Sequence, residues 1–229
     1  MNRSTMSTRS RTSTRSKVPL SLADIVHPRV TAIKYGIETL APKLFGGPPD
    51  LVLTGPNHGG NAGLLDGLTS GTLSAAAAGA KAGIPAIAFS SITGDKVSHT
   101  SRPTGFSETY AGLATAFVQH VVKTGATPFL PKDIFLSVNY PEIVKNGTDC
   151  SKPTYVLARA TPVIPIFTGS DVEVCGNGGR LPDESDVIEA SGCFASVVVL
   201  DMSLRLDVDA EKQAEVAGIL GDLLGCLPA

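Results

Sequence analysis

Apolar residues at Ile33, Ile37, Leu40 and Leu44 recur at helical spacing, so the pattern predicts a helix that begins near Val30 and is ended or kinked by Pro42. Phe45-Gly46-Gly47-Pro48-Pro49 makes a turn, and the run Leu51-Val52-Leu53 reads as a buried strand. Thr54 to Thr69 carries five glycines and reads as a loop. An alanine-rich helix opens at Ser70-Gly71-Thr72-Leu73, with Ser70 as its N-cap and Gly83 as its stop. Pro85–Ser90 returns as a second buried strand. Tyr110, Leu113, Phe117 and Val121 mark another helix, and 134–138, 155–158 and 196–200 read as strands. A final amphipathic helix runs from about Asp209 to Leu224. Strands alternating with helices, and apolar along their whole length, predict an α/β domain with a largely parallel sheet covered on both faces.

The first stretch differs in kind. It is rich in Ser and Thr, carries Arg3, Arg9, Arg11, Arg15 and Lys17, and has no acidic residue before Asp24. Without an apolar core segment or an amphipathic stripe it reads as a solvated basic tail over 1–28, followed by one domain over 29–229. The 229 residues suffice for a sizeable core, and a net charge of −2 with 5% aromatics gives no reason to expect nucleic acid. No apolar run reaches the roughly 18 residues of a membrane span, so a membrane is not expected as a partner. Neither a signal peptide nor a span is visible, which leaves cytoplasmic and secreted locations open.

Cys150, Cys175, Cys193 and Cys226 lack zinc-site spacing. They are either buried thiols or two disulfides; Cys193 beside Phe194 and Cys226 in an apolar helix end read as buried thiols. His27, His58, His99 and His120 are too scattered for a zinc motif. Asp183-Glu184-Ser185-Asp186, the dense acidic cluster, reads as an exposed loop. Ser90-Ser91 at a strand end lacks a recognisable base partner.

In open α/β sheets ligands sit beyond the carboxyl ends of strands, which here means the loop 54–63. Its glycines allow close backbone approach, and its asparagines offer neutral oxygens. The helix opening at Ser70 presents free N–H groups and a positive dipole end that favour an anion. Glycine loops with turn-capping asparagines are also common structural devices. Neither a P-loop nor a dinucleotide fingerprint is present.

The ordered series Pro49-Asp50-Leu51-Val52-Leu53-Thr54-Gly55-Pro56-Asn57, Gly59, Asn61, Gly63, Ser70-Gly71-Thr72 and Gly83-Ile84-Pro85-Ala86-Ile87-Ala88-Phe89-Ser90 resembles the SurE family. The resemblance implies a three-layer α/β/α Rossmann-like fold and a metal-dependent phosphomonoesterase, a 5′-nucleotidase or acid phosphatase acting on nucleoside monophosphates or other phosphomonoesters. It implies Asn57 as a ligand of a divalent Mg or Mn ion, and Asn61, Ser70, Gly71 and Thr72 as the phosphate subsite. It also implies a homodimer or higher oligomer, with an arm expected between Cys175 and Asp201. That family opens with a strand ending in Asn-Asp-Asp-Gly, whose aspartates hold the metal. No adjacent aspartates occur here, so the resemblance implies a fold short of its N-terminal portion and an incomplete ligand set. An inactive remnant, or an oligomeric binding protein of the same fold, is the alternative expectation.

Overall fold

A computed structural model describes residues 28–59, 63, 69–94, 97–98, 100–123, 125, 127–162 and 169–228. The basic stretch before Pro28 lies outside the described residues.

The first helix, α1 (Pro28–Tyr35), passes through a π turn (Gly36–Leu40) into α2 (Ala41–Phe45). Pro42 therefore ends nothing: it sits in the first turn of α2, where a missing N–H costs little. Ile33 and Ile37 pack on the core, but Leu40 and Leu44 are exposed, so only half of the predicted stripe faces inward. The remaining elements are β1 (Val52–His58), α3 (Gly71–Lys81), β2 (Ala86–Ser91), α4 (Gly105–Lys123) and β3 (Ile134–Tyr140). A two-strand hairpin, β4 (Val144–Lys145) with β5 (Thr148–Asp149), leads to β6 (Thr154–Ala158). The chain closes with α5 (Glu184–Glu189), β7 (Phe194–Asp201) and α6 (Ala210–Leu220). Ser70 caps α3, its Oγ accepting from the Leu73 N–H, and Asp209 caps α6 through the Lys212 N–H.

The five-stranded sheet has the order β1-β2-β3-β7-β6. Three pairings are parallel, and β3–β7 is antiparallel. The sheet is thus largely parallel, as the apolar strands predicted, with one antiparallel pairing whose direction an apolar run does not encode. β7 has partners on both sides within the chain, so it is a central strand and not an arm reaching for another copy.

On β2, side-chain size separates the two faces. Ile87, Phe89, Leu136, Val138, Val197 and Val199 meet Phe117 and Val121 of α4 and Val216 and Leu220 of α6. Ala86 and Ala88 on the other face meet Ala76, Ala77 and Ala80 of α3. These small residues let α3 come close to the sheet: a β-carbon on Gly79 would lie 3.0 Å from Val52. That closeness fixes where the first turn of α3 stands relative to the end of β1.

The cysteines form Cys150–Cys193 and Cys175–Cys226 disulfides. The reading of Cys193 and Cys226 as buried thiols is overturned, because local apolarity carries no information about which distant sulfur comes within bonding range. No helix among the described residues is long and apolar enough to cross a membrane.

Candidate functional site

The strand predicted to stop at Leu53 continues to His58, which carries Asn57 into the sheet. It does so through a bulge. Val52, Leu53 and Thr54 pair with Ala86, Ile87 and Ala88, but the register then jumps so that Asn57 pairs with Ser90. Three residues on from Thr54, an unbroken strand would point Asn57 to the opposite face. The extra residue returns it to the face covered by α3. Only glycine can make this bend: Gly55 has φ +88°, and a β-carbon there would lie 2.0 Å from the Phe89 carbonyl oxygen.

Asn57, Ser90, Asn139 and Ser196 are successive register partners across β1, β2, β3 and β7. They form a polar row where the apolar packing under α3 gives out. Ser90 Oγ donates to Asn57 Oδ1 at 3.0 Å. The Asn57 amide donates to the carbonyls of His58 (3.1 Å) and Gly59 (2.7 Å). Ser91 Oγ donates to the Asn57 carbonyl at 3.0 Å. The asparagine is thereby held in one orientation. Thr54 Oγ1 donates to the Thr72 carbonyl at 3.0 Å, tying β1 to the first turn of α3.

Over the far end of the row lies Glu184. The acidic segment expected as an exposed loop instead opens α5, and Glu184 is only 2% exposed. Its backbone N–H donates to the Arg159 carbonyl at 2.8 Å, and Arg159 is itself buried against Asp171 at 2.7 Å. The Glu184 carboxyl accepts from Asn139 Nδ2 (2.5 Å), Ser196 Oγ (3.2 Å) and the Gly63 N–H (3.1 Å). Burial pushes its pKa up to about 7, against the opposing pull of those three donors.

An open cavity of about 520 Å³ lies between α1, β1 and α3, lined in part by Arg29, Thr54, Asn57, His58 and Thr72. Of the residues expected at the site, the structure brings Asn57 and Thr72 onto this cavity and places Ser70 and Gly71 in the same first turn of α3. Asn61 and His99 lie outside the described residues. His58 ends β1 and is exposed; His120 lies on α4, 3.9 Å from Asp222 and away from the site. The sequence assigns no site role to Arg29, Asn139, Glu184 or Ser196, and the acidic cluster that holds Glu184 reads there as a loop. Pro182-Asp183-Glu184 did carry a helix-start signal, with Asp183 at the N-cap, that pointed away from a loop. Nothing local marks Arg29.

Among the described residues no carboxylate lines the cavity, and no group of three His, Cys, Asp or Glu stands close enough to hold a metal ion. The oxygens described around Asn57 are neutral and do not by themselves suit a hard divalent cation, which wants charged ligands. The arrangement suits an anion: free N–H groups at the start of α3, hydroxyls beside them, and a guanidinium opposite.

The family model for the survival protein SurE matches residues 26–161. An acid phosphatase of Yarrowia lipolytica is 31% identical over 198 residues, covering 74% of this chain and 54% of that protein. A 5′-nucleotidase SurE of Desulfatibacillum aliphaticivorans is 42% identical over 164 residues, covering 67% of this chain and 58% of that protein. This chain thus spans little more than half the length of either relative. The crystal structure of the SurE protein from Aquifex aeolicus superposes with a TM-score of 0.52 at 20% identity, over 83% of this chain and 72% of that one, which shows the shared fold. On the strength of the family match, the chain belongs to the SurE family.

Proposed function

We propose that the chain carries the phosphate-holding part of a phosphomonoesterase site, acting on nucleoside monophosphates or related phosphomonoesters. One observation carries the reading: the bulge at Gly55 turns Asn57 onto the cavity that the first turn of α3 also faces. Relatives named acid phosphatase and 5′-nucleotidase support the substrate class. In this reading the N–H groups at Gly71 and Thr72 take phosphoryl oxygens, aided by the positive end of the helix dipole. Ser70 Oγ accepts from Leu73, which leaves its own proton to donate. Asn57, held by Ser90, orients the bound group. The family is in general dependent on a divalent metal, which would polarise the phosphoryl group and activate water. The described donors do not make a site for that ion.

That no described residue lining the cavity is a carboxylate favours a second reading, phosphoester binding without turnover. Hydrolysis of p-nitrophenyl phosphate and AMP with added Mg²⁺ or Mn²⁺, beside calorimetric titration with phosphate, separates the two. Hydrolysis lost in Asn57→Ala supports the enzyme; binding without hydrolysis supports the second reading. A chain that neither binds phosphate nor hydrolyses its esters refutes both.

A further inference from the structure

Arg29 stands in the first turn of α1, with its side chain laid across the start of α3. A β-carbon on Gly71 would lie 2.7 Å from a terminal guanidinium nitrogen of Arg29 and 3.2 Å from its Cδ. A side chain at position 71 would have to push the guanidinium aside. Among the described residues Arg29 forms no ion pair, and none of those that line its cavity is a carboxylate. Its position is also electrostatically inverted. The N-terminal end of a helix is the positive end of its dipole and favours Asp or Glu, not a cation. An anion seated between the guanidinium and the N–H groups of α3 would remove that conflict, because each then faces negative charge.

We propose that Arg29 is the cationic contact for the substrate's phosphate, an assignment that rests on the phosphomonoester reading above. Its planar fork takes one pair of phosphoryl oxygens while the first turn of α3 takes another. Gly71 thereby has two roles, exposing its own N–H and leaving room for the guanidinium. Arg29 binds substrate charge, and no proton transfer is assigned to it.

The test is calorimetric titration of inorganic phosphate into the full chain at low salt, with thermal melts of every variant. Arg29→Ala is expected to weaken phosphate about tenfold, the loss of one charge-assisted contact. Its melting temperature should not fall, since the side chain is exposed and forms no ion pair among the described residues. Arg29→Lys keeps the charge without the fork and should recover part of the affinity. Gly71→Ala should weaken phosphate to a similar degree by pushing the guanidinium aside, and the double variant should be no weaker than either single one. If Arg29→Ala binds like wild type while Gly71→Asp abolishes binding, the Arg29 assignment falls and the phosphate site stands. If the wild-type chain does not bind phosphate at all, the phosphomonoester reading falls and takes Arg29 with it.

Discussion

Replacing Glu184 by Gln should change how stability depends on pH. Burial raises this carboxyl from 4.5 in its reference state to about 7 in the folded protein. A carboxyl raised in the fold binds its proton more tightly there than in the unfolded chain. Its contribution is therefore fully present below pH 4.5 and is lost as the pH climbs to about 7. At 1.36 kcal/mol per pH unit, ionising it in place costs about 3 kcal/mol. With Glu184 only 2% exposed, solvent screening does little to reduce that. The neutral amide of Gln cannot ionise. It also presents an NH₂ group to one of the donors at Asn139, Ser196 or Gly63, a penalty of about 1–3 kcal/mol that does not depend on pH. Thermal melts of wild type and Glu184→Gln from pH 4.5 to 8 isolate the effect, because every other titrating group cancels in the difference. The variant should melt below wild type at pH 5 and close the gap, or overtake, by pH 8. About 2–4 °C is expected for each kcal/mol in a chain of this size. A difference that stays flat with pH would refute the burial argument. A gap that widens as the pH rises would mean that the three donors outweigh burial and hold the carboxyl ionised.

Gly55→Ala should be among the most damaging single substitutions: its methyl meets the Phe89 carbonyl at 2.0 Å and its φ of +88° disfavours any side chain. A loss of about 3 kcal/mol or more is expected, read as a fall in the urea midpoint. Phosphate affinity should fall with it, because Asn57 loses its aim. Thiol titration of the denatured chain should find no free cysteine before reduction and all four after it. Replacing Cys150 and Cys193 by Ser opens a loop with a sequence separation of 43 and should cost about 2–4 kcal/mol in a denaturant melt.

Much of the architecture was readable from local pattern. The alanine run behind Ser70 gave α3 and its cap, and the apolar runs at 86–90, 134–138 and 196–200 gave β2, β3 and β7, because a buried element must be apolar whatever lies against it. The ordered glycines, Asn57 and Ser70–Thr72 point to one end of the sheet, where the structure brings Asn57 and Thr72 onto one cavity.

Other features are relations between distant segments, and no local pattern encodes them. The direction of β7 follows from the connection that delivers it to β3, not from its valines. The bulge that aims Asn57 is a mismatch between two strands, visible only once β1 and β2 are paired. Four cysteines allow three pairings, and folding selects one. Glu184 looked like surface because it sits among acidic neighbours, yet the first turn of α5 presses it onto Asn139 and Ser196. Arg29 and Gly71 meet because Ile33 on α1 and the alanines of α3 share one side of the same core. Sequence determines which residues must be buried and where helices and strands begin. Which polar groups then face one another is decided by how the buried faces pack.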